Sequence, residues 1–184
     1  MPKHQRSRRS TVVVPKNKIE GAPYGKLLLP LRPRLCDPLR QTFADFMKIE
    51  LKRLNQAVHF ECTNEEGLRV HTDGSPDIGG EGKGVRPMQL LLMSHAACSS
   101  IDVVTLLRKM RQPLEDIRVQ AEGERDTTQT PAVFKKIHLH YELKGALDRA
   151  SAEKAIRLSV EKYCSVGVML SKTAEITWSL DLKD

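Results

Sequence analysis

The 184-residue chain lacks the features that would place it in a membrane or in an oxidising compartment. No stretch approaches the run of about 20 predominantly apolar residues that a membrane-spanning helix needs. The arginine-rich start is not followed by an apolar segment and a small-residue cleavage site, so it is not typical of a secretory signal. We therefore expect a soluble protein of the reducing cytoplasm, with no membrane partner.

Cysteine is scarce and widely spaced. The four cysteines are Cys36, Cys62, Cys98 and Cys164. Their spacing fits neither the close pairs of a CxxC zinc ribbon nor a disulfide framework, and a reducing compartment keeps thiols free. The sequence therefore predicts four thiols.

Excess positive charge is confined to the start of the chain. The formal net charge is +7, and residues 1–46 alone hold ten basic and three acidic residues. The other 138 residues hold 20 basic and 20 acidic side chains, so their charges cancel. A folded domain that binds nucleic acid would carry a basic surface of its own, so we do not expect nucleic acid as a partner.

Residues 1–46 also contain six of the ten prolines and no sustained hydrophobic period, a composition that resists regular structure. We interpret them as a basic, proline-rich extension. It is a basic arm that touches an anionic partner, a flexible tail without a fixed role, or an artefact upstream of a true start at Met47. Residues 47–184 form the predicted domain.

From Met47 onward the hydrophobic pattern predicts regular elements. Residues 48–54, 58–63 and 68–72 alternate with a period of two, which predicts three strands of an antiparallel meander. Pro87 then opens a nearly uncharged segment that ends at Arg111. Proline suits the first turn of a helix, and a helix of this length would extend about 37 Å.

The long predicted helix is apolar on more than one face, so it must be buried on several sides. Its middle, residues 94–100, contains mostly small side chains, and a second backbone can approach closely there. A domain of this size can hardly cover such a helix alone. We therefore expect a homodimer with this helix at the interface.

The last third of the chain returns to strands. Residues 117–122 and 137–143 alternate as two half-buried strands. Asp148 or Ser151 can cap a helix, and residues 174–182 alternate as a final strand. The order of elements predicts an α+β domain with helices on one side of an antiparallel sheet.

Two cysteines in apolar helices are the candidate reactive groups. Cys98 and Cys164 are either buried core thiols or a reactive thiol with its resolving partner, and the second reading requires Cα atoms within about 7 Å. His95 lies one helical turn before Cys98 and would favour its thiolate if protonated. Asp102, one turn after Cys98, would oppose it.

His138 and His140 point to one face of their predicted strand. Together with His95 and Cys98 they could form a zinc site, since histidine and cysteine are the usual zinc ligands. The competing interpretation is ordinary polar alternation on a solvated strand face.

Several segments carry a family resemblance: GVRPM at residues 84–88, LLLMSHAACSSIDVV at 90–104, the strand FKKIHLHYELKG after Pro131, and LSVEKYCSVGVML at 158–170. Together they resemble the OsmC/Ohr family (osmotically inducible protein C and organic hydroperoxide resistance proteins), and most closely its YhfA-like branch. The resemblance covers residues 47–184. It implies an OsmC-like α+β fold in which an antiparallel sheet is wrapped on long central helices in an intertwined homodimer.

The resemblance also implies an activity, the reduction of organic hydroperoxides in oxidative-stress defence. The cysteine matching Cys98 would attack the peroxide and become a sulfenic acid, and the cysteine matching Cys164 would condense with it to a disulfide. A dithiol reductant such as a lipoylated protein would restore both thiols. Neither a metal nor an organic cofactor is needed.

One position departs from the peroxidase pattern. Met88 stands where those enzymes have a glutamate that helps to hold an arginine against the thiolate. The arginine itself would be Arg53 or Arg69, with Arg86 a third candidate. Without a fixed cation the Cys98 thiol would react slowly.

The missing glutamate leaves a second function open. A dimeric OsmC-like protein without catalysis could bind a small hydrophobic ligand in an interface cavity. The cavity would be lined by Met88, Met93, His95 and Cys98.

Overall fold

A computed structural model describes Val12–Val13 and residues 47–183 of the chain. These fall into two compact units, residues 47–86 and residues 87–183 together with Val12–Val13. The predicted domain 47–184 thus contains a unit boundary after Arg86. Apart from Val12–Val13, the predicted extension 1–46 lies outside the described residues, so its role stays a prediction.

Residues 47–86 form a small antiparallel sheet of three strands. Its strands are β2 (Ile49–Arg53), β3 (Phe60–Asn64) and β4 (Arg69–Thr72), and a 3₁₀ turn at Pro76–Ile78 follows them. Strand β1 (Val12–Val13) belongs to the second sheet. Leu51 pairs with Cys62, and Cys62 with Val70. This register confirms the predicted meander.

The larger unit contains three helices and the second sheet. Its elements are α1 (Pro87–Lys109), β5 (Asp116–Arg125), β6 (Phe134–Lys144), α2 (Arg149–Leu158), a π-helical turn (Ser159–Tyr163), α3 (Ser165–Leu170) and β7 (Glu175–Lys183). Asp148 caps α2 by accepting a hydrogen bond from the Ser151 backbone N–H at 2.8 Å. Of the two predicted caps, Asp148 is therefore the one used.

The second sheet has the strand order β1-β7-β6-β5. β6 runs antiparallel to β5 but parallel to β7. The expectation of an entirely antiparallel sheet is therefore wrong for this pair. The reason is the helical connection, residues 149–170, which carries the chain back so that β7 starts at the same end as β6.

The core lies between this sheet and the helices on one of its faces. Alternate residues of β6 and β7 are buried against residues of α1 and α2. The buried set includes Val103, Leu107, Ile137, Leu139, Tyr141, Leu143, Ala152, Ala155, Ile156, Ile176, Trp178 and Leu180. This arrangement confirms the predicted α+β class with helices on one side of the sheet.

Helix α1 begins at the predicted proline and ends two residues before the predicted boundary. Arg111 adopts a left-handed conformation with φ 57°, and the Gln112 N–H donates to the Leu107 carbonyl at 3.0 Å. This hydrogen bond satisfies a carbonyl that the helix end would otherwise leave without a partner.

Among the described residues, α1 is the one helix whose length and composition would suffice to cross a membrane, with a mean hydropathy of 1.7. This finding corrects the expectation that no stretch of the sequence approaches the length and composition of a membrane span. The core helices of soluble proteins also meet it, so it is weak support for a membrane span. Part of the apolar surface of α1 is uncovered in the single chain, with Met93 51% and Ile101 67% exposed.

Replacing Gly145 by alanine is expected to destabilise the larger unit by more than about 2 kcal/mol. Gly145 has φ 131°, and a Cβ there would lie 2.2 Å from the Pro113 carbonyl oxygen. Gly67→Ala is the control, because Gly67 has φ 79° but no atom within 4 Å of its Cβ position. It should cost only about 1 kcal/mol. Urea unfolding followed by circular dichroism compares the two, and equal losses would contradict the steric argument.

Candidate functional site

Cys98 lies halfway along α1, at the edge of the helix face that packs into the core. His95, Ser99, Val103 and Leu107 are buried on that face, whereas Cys98 is only partly buried. Its thiol is free of any disulfide. The position therefore combines a helical backbone with a cysteine that is not fully buried in the single chain.

Cys164 lies where the second helical segment is interrupted. The π-helical turn Ser159–Tyr163 ends there, and the Cys164 N–H donates to the Ser159 carbonyl at 2.9 Å. Cys164 then caps α3, and its Sγ accepts a hydrogen bond from the Gly167 N–H at 3.3 Å. The π turn separates α2, which Asp148 caps, from α3. π turns recur at functional sites.

The structure brings the two predicted thiols together. The Sγ atoms of Cys98 and Cys164 and a carboxylate oxygen of Asp102 all lie within 4.8 Å of one another. A disulfide needs about 2.05 Å between sulfurs, so the two thiols must move closer together to form one. The arrangement is thus a dithiol with a carboxylate beside it, inside the larger unit.

A buried chain of hydroxyl groups holds α1 against the π turn. Tyr141 of β6 is hydrogen-bonded to Ser99 Oγ, which lies 3.0 Å from Ser159 Oγ. Ser159 Oγ donates to Asp102 Oδ2 at 3.2 Å. The Ser99 carbonyl, also at 3.2 Å, shares the one proton of Ser159 Oγ, so Ser99 Oγ donates to Ser159 and Tyr141 donates to Ser99. These hydrogen bonds hold the π turn, which is followed by Cys164, against α1, which contains Cys98.

Sequence reasoning missed Ser99, Tyr141 and Ser159 as parts of the site. A signal was present, because each hydroxyl stands at a position that the hydrophobic pattern assigns to the buried face. A buried hydroxyl needs a hydrogen-bond partner. The pattern does not identify that partner, so the network is visible only in the structure.

Burial strongly affects the titration of this site. Desolvation, followed by the Cys98 side chain, raises the pKa of Cys164 to about 12. Desolvation also raises the pKa of Tyr141. Cys164 is therefore a neutral thiol at pH 7, as expected of a resolving rather than an attacking group.

His95 is fully buried, and its two ring nitrogens have no hydrogen-bond partner among the described residues. Its Nε2 lies 3.0 Å from the point that a Cβ on Gly167 would occupy, and Cys164 Sγ lies 3.4 Å from the same point. Desolvation lowers the pKa of His95 to about 4. A neutral imidazole cannot supply the positive charge that a protonated His95 would place beside the Cys98 thiol.

The three predicted arginine partners belong to residues 47–86. Arg53 ends β2 and Arg86 precedes α1, and both side chains are exposed. Arg69 begins β4 and pairs with Glu61 at 3.4 Å. The choice among these arginines as a partner of Cys98 stays a prediction.

The structure favours polar alternation over the zinc site that His95, Cys98, His138 and His140 could have formed. His138 and His140 alternate with the buried residues of β6, so they occupy the sheet face opposite the helices. Their rings bond to hydroxyl groups of β7 instead, His138 to Thr177 at 2.7 Å and His140 to Ser179 at 2.8 Å. Strand alternation separates the two histidines from α1.

Comparison with known proteins identifies relatives. The family model described as "OsmC-like protein" matches residues 80–179. Protein YhfA of Escherichia coli (strain K12) is 42% identical over 101 residues, which cover 54% of this chain and 75% of that protein.

Solved structures agree with the sequence relatives. A hypothetical protein from Aquifex aeolicus VF5 superposes with a TM-score of 0.64 at 31% identity, covering 76% of this chain and 99% of the other. An organic hydroperoxide resistance protein OsmC from Legionella pneumophila superposes with a TM-score of 0.57 at 21% identity, covering 74% and 97%. At that lower identity the similarity shows a shared fold.

Acid is expected to destabilise the chain partly through His95. Its pKa falls from the ordinary 6.5 to about 4 in the folded state, so between these values the unfolded chain binds a proton that the folded chain does not. Stability is therefore full above pH 6.5 and declines toward pH 4, by about 3 kcal/mol for this group. His95→Gln should flatten the pH dependence of urea unfolding. His71→Gln, at an exposed histidine, is the control, and equal slopes for the two variants would refute the assignment.

Asp102→Asn is expected to make Cys98 about threefold to tenfold more reactive toward iodoacetamide at pH 7. The substitution removes a negative charge within 4.8 Å of both sulfurs, and a nearby anion disfavours thiolate formation. Peptide mapping of the alkylated protein measures the rate, with Cys62 of the same chain as an internal reference. A slower reaction would show instead that the carboxylate accepts the thiol proton.

Proposed function

The chain belongs to the OsmC-like protein family, and from this premise we propose that it reduces organic hydroperoxides through Cys98 and Cys164. The Legionella protein of the same fold is named for organic hydroperoxide resistance. The observation that carries the proposal is the convergence of two thiols from different helical segments within 4.8 Å. Cys98 is only partly buried and Cys164 is fully buried beside it, an arrangement that suits a reactive thiol with a resolving partner.

The two thiols take different parts in the proposed reaction. Cys98 is the more accessible, so it gives up its proton and its thiolate attacks the outer peroxide oxygen. The O–O bond breaks, and the alkoxide takes up a proton and leaves as an alcohol. Cys98 is then a sulfenic acid. The Cys164 sulfur attacks the Cys98 sulfur, the S–O bond breaks, and the thiol proton leaves with the hydroxyl group as water. The product is a disulfide.

A dithiol reductant completes the proposed cycle. It passes two electrons and two protons to the disulfide and becomes oxidised itself, which restores both thiols. A lipoylated protein is the predicted donor. Such a cycle suits a reducing compartment, and we retain the cytoplasm as its proposed location.

The same proposal includes a homodimer. Apolar side chains on α1 remain exposed in the single chain, among them Leu91, Met93 and Ile101. Their positions on the long helix support the expectation that a second copy covers it. Exposed apolar groups of this kind are typical of an interface.

The hydrophobic-ligand alternative has less support from the geometry. Of its proposed lining residues, His95 is fully buried and Met93 is half exposed, so the two point to different sides of α1. It stays a prediction for the case in which the thiols do not react with peroxide.

The test measures thiol loss when reduced protein is mixed with cumene hydroperoxide or with hydrogen peroxide. We expect two thiols per chain to disappear, faster with the organic peroxide and about tenfold faster than Cys62 reacts. Cys98→Ser should abolish the reaction, whereas Cys164→Ser should stop it at the sulfenic acid.

Cys62→Ser is the matched control and should leave the rate unchanged, because Cys62 lies in β3 of the other unit. Thiol loss that is no faster than that of Cys62, or that continues without Cys98, would refute the proposed peroxidase and leave ligand binding as the function to test.

A further inference from the structure

The dithiol and its neighbouring carboxylate have the spacing of a metal site. Cys98 Sγ, Cys164 Sγ and an Asp102 carboxylate oxygen are all within 4.8 Å of one another. In a tetrahedral zinc site sulfur lies about 2.3 Å and carboxylate oxygen about 2.0–2.2 Å from the ion, so the ligand atoms are themselves about 3.5–3.8 Å apart. A contraction of about 1 Å would place one ion within reach of all three.

The types of donor atom define the class of cation. Two thiolates bind soft and borderline divalent ions, of which Zn²⁺ is the usual one, and a carboxylate is an accepted third ligand. Calcium and magnesium prefer sites made of oxygen alone, so they do not fit this set. Three protein ligands leave a fourth position for water or an added ligand.

The electrostatics of the site also favour a cation. Two thiols and a carboxylate are three groups that can each carry negative charge, and no lysine or arginine of residues 87–183 forms an ion pair with Asp102. A carboxylate beside a thiol works against a reactive thiolate. The same carboxylate strengthens the binding of a divalent ion, which stabilises all three anions.

The candidate ligands are oriented by neighbouring groups, as ligands in metal sites are. Asp102 accepts a hydrogen bond from Ser159 Oγ at 3.2 Å, and Cys164 Sγ accepts one from the Gly167 N–H at 3.3 Å. Ser159 is in turn tied to Ser99 of α1. Two of the three donors, Asp102 and Cys164, are therefore oriented before any ion binds.

We propose that Cys98, Cys164 and Asp102 of the reduced chain bind one Zn²⁺ ion, and that oxidation of the two thiols releases it. Binding one ion displaces the two thiol protons to solvent. Oxidation by a two-electron oxidant such as diamide, which becomes its hydrazine, joins the sulfurs in a disulfide. The disulfide has no thiolate left to hold the ion. This site does not depend on peroxide reduction, because binding needs only the reduced ligands.

The experiment adds Zn²⁺ to the reduced full-length protein in competition with a chromophoric chelator, with the Cys36→Ser, Cys62→Ser double variant as background. We expect one ion per chain. Asp102→Asn should weaken binding at least tenfold, and Cys98→Ser or Cys164→Ala should abolish it. Co²⁺ in place of Zn²⁺ should give a thiolate-to-metal charge-transfer band that diamide removes.

Failure of the site is distinguishable from misfolding and from failure of the peroxidase. Circular dichroism shows whether each variant is folded, and Asp102→Asn retains both thiols in any case. No uptake by folded, reduced protein would overturn the proposal, and so would uptake that persists without Cys98 and Cys164. Peroxide reactions are measured separately with chelator present, so they succeed or fail independently of Zn²⁺ binding.

Discussion

The buried hydrogen bonds from Tyr141 through Ser99 to Ser159 fix the geometry on which the candidate site depends. The three residues belong to three different elements, since Tyr141 lies on β6, Ser99 on α1 and Ser159 in the π turn. Leaving a buried hydroxyl without a hydrogen-bond partner costs about 1–3 kcal/mol, so separating α1 from the π turn is unfavourable. Cys98 directly precedes Ser99 on α1, and Cys164 directly follows the π turn. The same hydrogen bonds therefore keep the two sulfurs close together.

The chemistry of the site follows from burial and from one nearby charge. Cys164 is fully buried and keeps its proton at pH 7, whereas Cys98 is partly accessible, which separates a resolving role from an attacking role. Met88 stands where the resemblance to the peroxidases would place a glutamate, and His95 is neutral because it is buried. Asp102 is left as the charged group beside the thiols. Cys98, Cys164 and Asp102, which form the proposed redox site, also offer the donor atoms that a thiophilic cation binds.

Local sequence signals predicted the elements of the fold because those signals act over a few residues. Pro87 marks the start of α1, Asp148 caps α2, and the alternation of β6 matches its buried residues. The parallel pairing of β6 and β7 escaped prediction, because alternation gives a strand's faces and not its direction. The neutral state of His95 and the meeting of Cys98 with Cys164 depend on packing between distant segments, whereas Asp102 lies one helical turn from Cys98, as the sequence predicts. The family resemblance named the two cysteines but gave no sign of the carboxylate's role.

The most direct test asks whether Cys98 and Cys164 form one dithiol within a single folded chain. A thiolate adds to the N=N bond of diamide and a second thiol displaces the adduct as the hydrazine, so disulfide formation reports two neighbouring thiols and needs no peroxide reaction. The account predicts that peptide mapping of native, diamide-treated protein finds a disulfide between Cys98 and Cys164, at the mass of one chain and with Cys62 still free. Recovery of both thiols unmodified, or disulfides that join Cys98 mainly to Cys62 or to another chain, would contradict it.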